Sequence, residues 1–177
     1  MKYLPVAAAL LAAAALLHAA GAGKPVVEHA AMMTLEKSFD ARILHASAAE
    51  PLDLMGNTRG IYLPGYGTVF TTQINLIVSP TLSPFRLKFT KEEISRIHAR
   101  KLERLPMVRR QMREMLLASA SALNTVPPGE QIVVGVSLYY FSWEDTTGLP
   151  TQIIMQGQRQ KLLERTVAES SIHTEEY

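Results

Sequence analysis

The sequence predicts an α+β fold, a two-layer sandwich in which a small sheet of about three strands is covered on one face by a long helix. Apolar residues recur every three or four positions in some segments, as in amphipathic helices, and alternate or cluster in others, as in strands. A signal peptide precedes this domain. The remaining chain has a size that normally forms one domain with a sizeable core.

The start of the chain, MKYLPVAAALLAAAALLHAAGAGKP, has the layout of a secretory signal peptide. An apolar run from Leu4 to Leu17 follows a single lysine, and Ala20-Gly21-Ala22 fits the small-x-small rule for cleavage before Gly23. We therefore expect a signal peptide over residues 1–22, a mature protein that is periplasmic or extracellular, and no membrane span after cleavage. The alternative is an uncleaved anchor, because the apolar stretch is long enough to cross a bilayer.

The composition excludes several classes of protein. The chain has no cysteine, so a disulfide scaffold, a thiol nucleophile and a thiolate metal site are all excluded. The formal net charge is only +2 over the full sequence, which gives no reason to expect nucleic acid as a partner. The histidines of the mature chain lie singly, and no metal-binding or cofactor-binding motif is present.

A first helix is predicted within residues 28–48, where apolar residues recur at steps of three and four, namely Met32, Leu35, Phe39, Ile43 and Ala46. Gly56-Asn57 and their polar neighbours then predict a loop over residues 53–60. We assign residues 23–60 to an N-terminal helix and loop, residues 61–170 to the core domain and residues 171–177 to a flexible tail.

A strand and a long helix are predicted to open the core domain. Apolar and polar residues alternate after Gly67, which indicates a strand with one buried face. Thr90-Lys-Glu-Glu93 is a capping box that starts the long helix. The helical repeat continues past Pro106, so this proline either bends one helix or separates two.

Two further strands are predicted at Gln131 to Trp143 and at residues 151–158, as an antiparallel hairpin, with a last helix over residues 161–170. The long helix joins the strands that begin at Gly67 and Gln131, and such a crossover favours parallel strands. We expect one residue set from the long helix and the sheet to be buried together: Ile74, Leu76, Ile97, Val108, Val134 and Val136.

Tyr66 lies between Gly65 and Gly67, directly before the first predicted strand of the core domain. Two interpretations are open. Tyr66 is a ligand-stacking residue, or the glycines form a corner that turns the chain into the strand. We favour the corner, because a lone GxG is weak support for a binding loop.

The segment FSWEDTTG carries Trp143 beside two acids, Glu144 and Asp145. An aromatic ring next to carboxylates is a common arrangement in carbohydrate hydrolases. Adjacent residues on a strand point to opposite faces, however, so these two acids cannot flank one bond. Asp145 and the following Thr-Thr-Gly are also typical of a turn.

A basic stripe is predicted on the long helix, since residues 86–113 hold ten Lys and Arg against three Asp and Glu. Four cations lack an acidic partner one helical turn away, namely Lys101, Arg104, Arg109 and Arg113. The stripe could meet an anionic envelope surface or an acidic partner protein. The alternative is an ordinary solvated helix face.

These patterns favour an exported binding or assembly domain of the bacterial envelope that is not an enzyme and needs no cofactor. The alternative is a small periplasmic or secreted hydrolase that uses Glu144 or Asp145 on a glycan or peptide. A second acid or a histidine close to Glu144 in a pocket would favour the hydrolase, and an isolated Glu144 the binding domain. The motifs identify no characterised family.

The mature protein should begin at or near Gly23, because the small-x-small site precedes that residue. The intact mass of protein recovered from the periplasm or the medium measures the start directly. Recovery of the uncleaved chain from the membrane fraction would contradict this prediction and support the anchor.

Overall fold

The structure, a computed structural model, describes residues 27–47, 51–78, 80, 88–164 and 166–177. The predicted signal peptide lies outside these ranges. The described helices and strands are, in chain order, α1 (His29–Leu44), β1 (Asp53–Leu63), β2 (Gly67–Asn75), α2 (Lys91–Ala122), β3 (Gln131–Leu138), β4 (Gln152–Gln158), α3 (Arg159–Leu162) and β5 (His173–Glu176), with a 3-10 turn at Glu169–Ser171 before β5.

The strands form one mixed sheet in the order β1-β2-β3-β4-β5. β2 and β3 are parallel, and the other three neighbouring pairs are antiparallel. The predicted α+β class, the parallel pair joined by the long helix and the β3–β4 pair are thereby confirmed. The prediction of about three strands is wrong, because the sheet has five.

β1 is one of two strands that the sequence analysis missed, because residues 53–60 were assigned to a loop. Gly56 and Asn57 look like turn residues, but register shifts at Leu54/Gly56 and Gly56/Arg59 accommodate them as irregularities within the strand. Acidic side chains of α1 bind the irregular backbone: Asp40 accepts from Thr58 N at 2.8 Å and Glu36 from Gly60 N at 2.7 Å. The boundary predicted between residues 60 and 61 therefore falls inside a strand.

β5 is the second missed strand, in the segment assigned to a flexible tail. It pairs with β4 from Ile153↔Glu176 to Gln156↔His173. Glu176 is also held from the helix layer, because Arg109 of α2 donates to both of its carboxylate oxygens, at 2.6 and 2.8 Å. The sequence HTEE is too charged to signal a strand, and only these long-range partners make it one.

The core lies between the sheet and the helices. Four of the five apolar residues predicted for the first helix are buried and belong to the same hydrophobic cluster as the inward side chains of the sheet. The fifth, Ala46, lies beyond the end of α1 and packs half-buried against this cluster. Of the six residues predicted to be buried together, five share this cluster: Ile74, Leu76, Val108, Val134 and Val136. Ile97 is also buried but lies outside the cluster.

α2 is a single helix of 32 residues that continues through Pro106. Its capping box is formed as predicted, with Glu93 N donating to Thr90 Oγ1 at 3.2 Å and Thr90 N to Glu93 Oε2 at 2.9 Å. Pro106 has no N–H, so the carbonyl of Leu102, four residues earlier, lacks its intrahelical donor. Both residues are exposed. Solvent can therefore satisfy that carbonyl, and the helix need not end.

The remaining predicted elements are shorter than expected. The strand expected to reach Trp143 ends at Leu138, and the last helix expected over residues 161–170 is reduced to α3 and the separate 3-10 turn.

The outer face of the sheet is more open than its inner face. Thr71 and Gln73 of β2 are exposed, and Ile154 and Gln156 of β4 are half-buried. The strand pairing places these side chains opposite to the face that carries Phe70 and the core. This polar outer face is where the candidate site begins.

Deletion of residues 173–177 should destabilise the domain by about 2–4 kcal/mol, since several hydrogen bonds of about 1 kcal/mol each are lost with β5. Urea unfolding of the mature protein measures the change. Arg109→Gln is the matched control, because it removes the ion pair but keeps the strand, and it should cost less than the deletion. An unchanged unfolding curve for the deletion would mean that the segment is a loose tail.

Candidate functional site

The turn between β1 and β2 is built around Tyr66. Gly65 and Gly67 have φ of +83° and +139°, values that residues other than glycine rarely adopt. A Cβ on Gly67 would also lie 1.9 Å from the Gln131 carbonyl oxygen. The glycines are therefore required by backbone geometry, and they form the corner that the sequence predicts. A corner is compatible with a ligand-binding Tyr66, so both interpretations of this segment can hold.

Neighbouring residues hold this corner rigidly. Tyr66 N donates to Leu63 O at 3.0 Å, and Gln131 N donates to Tyr66 O at 2.8 Å. The Glu130 carboxylate accepts from Gly65 N at 3.0 Å and from the Tyr62 hydroxyl at 3.3 Å. Burial and the adjacent Glu130 carboxylate raise the pKa of Tyr62, so this hydroxyl remains a donor.

The side chain of Tyr66 borders a cavity of about 560 Å³ at the end of the sheet where β2 and β3 begin. Its volume is within the range of about 300–1,000 Å³ that is usual for small-ligand sites. The strand register places three glutamines and a histidine on the outer face around it. The polar lining comprises Tyr66, Gln131, Gln156, Gln158, Lys161 and His173, together with Ser170 and Ser171.

Much of the hydrogen-bonding capacity of this lining is unused. The Tyr66 hydroxyl lies 3.4 Å from Gln156 Oε1, which is long for a hydrogen bond between oxygens. Within the described part of the chain, the side chains of Gln131 and Lys161 make no hydrogen bond. Gln158 is used, because its Nε2 donates to Gly129 O at 3.1 Å. The cavity can therefore offer donors and acceptors to a ligand.

Glu144 is buried in an ion pair and is unsuited to catalysis. The side chain of Lys101 is 0% exposed and that of Glu144 is 1% exposed, and Lys101 Nζ donates to Glu144 Oε2. Glu144 Oε1 is buried too, without a hydrogen-bond partner among the residues that the structure describes. A general acid must reach substrate, whereas this carboxylate is buried against Lys101.

Tyr140 completes the surroundings of this ion pair. Lys101 Nζ lies 4.9 Å from the centre of the Tyr140 ring, and the Tyr140 hydroxyl donates to Pro150 O at 2.7 Å. Burial lowers the pKa of Lys101, and the contact with Glu144 partly offsets this effect. Burial and the Glu144 charge raise the pKa of Tyr140. The group is a structural link between α2 and the segment after β3.

Asp145 is exposed and has the role of a turn residue. Its Oδ1 accepts from Thr147 N at 2.9 Å, and this backbone hydrogen bond is the main reason that its pKa is lowered. His98 Nδ1 lies 4.0 Å from Asp145 Oδ2, while His98 Nε2 is 2.7 Å from Thr147 O. A carboxyl group with a lowered pKa is a poor proton donor near neutral pH.

Trp143 belongs to an aromatic cluster. Its ring lies 4.1 Å from that of Phe89 and stacks with that of Phe141 at 5.8 Å and 11°. Tyr139 extends the cluster through an edge contact with Phe141 at 5.1 Å. Because neighbouring rings already occupy the surroundings of Trp143, Tyr66 is the better placed of the two aromatics to stack on a ligand.

The four cations proposed for the basic stripe do not form a shared exposed surface. Lys101 is buried in an ion pair with Glu144, and Arg104 is only 9% exposed. Arg109 is bound to Glu176 of β5, and Arg113 Nη1 lies 3.0 Å from Glu169 Oε2. Two of them thus anchor the C-terminal segment on α2.

Three glutamines are the main site residues that the sequence analysis missed. Gln156 and Gln158 lie two residues apart in a strand, so they share a face, and Gln158 pairs with Gln131 across the β3–β4 ladder. This period of two was readable in QIIMQGQ. The proximity of these glutamines to Tyr66 depends on the close approach of Gly67 to the backbone of Gln131, which no local sequence pattern predicts.

No protein-family model matches the sequence, and comparisons with curated proteins and with solved structures gave no significant match. Among the described residues, no helix is long and apolar enough to span a membrane. Over the same ranges, no group of three or more His, Asp or Glu is placed to hold a metal ion. Functional assignment therefore depends on the geometry of the site itself.

Replacement of Lys101 by Met should destabilise the domain by about 3–5 kcal/mol, because it leaves the Glu144 charge buried without its partner. The double variant Lys101→Met/Glu144→Leu should recover most of this loss, since no buried charge remains. A double-mutant cycle from urea unfolding measures the coupling. Additive effects of the two single changes would show that the pair is not coupled.

Proposed function

We propose that the protein is an exported, non-enzymatic binding domain of the bacterial envelope that holds its ligand at the cavity beside Tyr66. One observation carries the proposal: an exposed tyrosine, 45% accessible, stands on a rigid turn beside a cavity with unused amide and ammonium groups. Polar groups that converge on a concave surface are typical of ligand sites.

The positions of the candidate acids support a function without catalysis. Neither Glu144 nor Asp145 lines the cavity beside Tyr66. Glu144 is sealed against Lys101, and Asp145 is an exposed turn residue whose carboxylate binds Thr147 N. The hydrolase hypothesis required a second acid or a histidine near an accessible Glu144. The histidine in this region, His98, faces Asp145 instead.

The engaged cations argue against an anionic envelope surface as the partner. Binding through the basic stripe would require Lys101 and Arg104 to leave buried positions, and Arg109 to give up a bidentate ion pair. Each of these steps costs free energy that attraction to a screened surface charge would have to offset. We therefore place the binding surface at the cavity beside Tyr66, on the outer face of the sheet.

Co-sedimentation of the mature protein with isolated cell envelopes tests the proposal. Tyr66→Ala and Gln131→Ala should each weaken retention about tenfold, the effect expected when one good contact is lost. Gln73→Ala is the matched control, because Gln73 is exposed on the same outer face and is not part of the cavity lining. Its retention should equal that of the unaltered protein.

Equal retention of Tyr66→Ala, Gln131→Ala and the control would contradict a binding site at this cavity. The melting temperatures of the variants need to be measured alongside, since only folded variants report on binding. Retention that falls sharply with added salt and is insensitive to Tyr66 would instead implicate charged surface.

A further inference from the structure

We infer that the cavity beside Tyr66 takes an uncharged oligosaccharide that carries acetamido groups. This inference deepens the proposed function and rests on it. Three features of the cavity bear on the ligand class: the hydrogen-bonding chemistry of its lining, the exposed aromatic ring and the small number of charges.

The glutamines supply paired donors and acceptors. A side-chain amide holds two N–H donors and a carbonyl acceptor side by side, which matches the N–H and C=O of an acetamido group or two neighbouring hydroxyls. Both ends of the Gln131 amide are unused within the described part of the chain. Gln156 keeps its NH2 group, since only its Oε1 faces the Tyr66 hydroxyl.

The strand register arranges these amides as a small grid. Gln131 pairs with Gln158, and Gln156 lies two residues earlier on β4. Side chains on one face are separated by about 4.8 Å between strands and about 6.7 Å along a strand. This spacing is on the scale of one sugar ring, so adjacent polar groups of a saccharide can meet different glutamines.

Tyr66 offers the apolar contact that a sugar ring requires. The residue is 45% exposed, and its backbone is fixed at both N and O by Leu63 and Gln131. A tyrosine so held loses little conformational entropy when a ligand packs on it. The C–H face of a pyranose can lie on this ring while the hydroxyls at its rim face the amides.

The charges around the cavity disfavour ionic ligands. Among the residues that the structure describes, Lys161 is the one Lys or Arg in the lining, and His173 Nε2 is already bound to Glu175 Oε1 at 2.8 Å. A polyanion is normally met by several cations. Peptides most often extend a sheet through main-chain bonds at an edge, whereas Gln131 and Gln156 belong to strands that are paired on both sides.

Removing a polar lining from water costs free energy, and this cost favours a ligand that replaces the lost hydrogen bonds. Each amide or hydroxyl removed from water loses a hydrogen bond unless the ligand replaces it. An apolar ligand would leave the glutamines unsatisfied. A saccharide has polar groups around most of its perimeter and can replace many of the lost water contacts.

Isothermal titration calorimetry of the mature protein with three defined trisaccharides tests the inference. Tri-N-acetylchitotriose carries acetamido groups, cellotriose has the same linkage without them, and trigalacturonate is anionic. The acetylated sugar should bind about tenfold more tightly than cellotriose, which corresponds to about one hydrogen bond. Gln131→Ala should remove most of this preference, whereas Tyr66→Ala should weaken both neutral sugars.

Gln73→Ala again serves as the control and should bind as the unaltered protein does. Equal affinity for cellotriose and the acetylated sugar would overturn the acetamido assignment, and salt-sensitive binding of trigalacturonate alone would overturn the uncharged class. If no trisaccharide binds while retention on envelopes still depends on Tyr66, the ligand class is wrong and the proposed function stands. If neither assay depends on Tyr66, both are wrong.

Discussion

The parallel pairing of β2 with β3 is the constraint on which the rest of the fold depends. Because these strands run in the same direction, the chain must travel back from the end of β2 to the start of β3, and α2 makes this connection. A helix of 32 residues is about 48 Å long, whereas the eight residues of β3 span about 26 Å. The helix therefore extends beyond the strands that it connects.

This excess length makes the two ends of the domain different. At the end where β2 and β3 finish, the segment after β3 packs on the first turns of α2. Glu144 forms an ion pair with Lys101, and the Thr147 carbonyl contacts His98. At the end where both strands begin, Gly67 lets β2 approach the backbone of Gln131, and Tyr66 is left facing outward. One end is thus closed by packing, and the other carries the cavity.

The sequence predicts those parts of the fold that depend on near neighbours. The capping box at Thr90, the apolar repeat of α1 and the alternation in β2 are local patterns, and each formed as expected. β1 was missed because register shifts accommodate its turn-forming Gly56 within the strand, with α1 binding the backbone N–H of Thr58 and Gly60. β5 was missed because its charged residues pair with distant partners. The corner at Tyr66 was predictable from its glycines, whereas the pairing of Lys101 with Glu144, 43 residues apart, was not.

The two edges of the sheet have a further consequence, for association between copies of the chain. An exposed edge strand can pair with another sheet and begin open-ended aggregation. Here β1 is irregular at Gly56, which breaks the regular row of backbone groups, and β5 is only four residues long and carries His173, Glu175 and Glu176. Both edges are thus poor templates for a further strand, so the domain can expose polar side chains such as Thr71 and Gln73 on its sheet and still resist polymerisation.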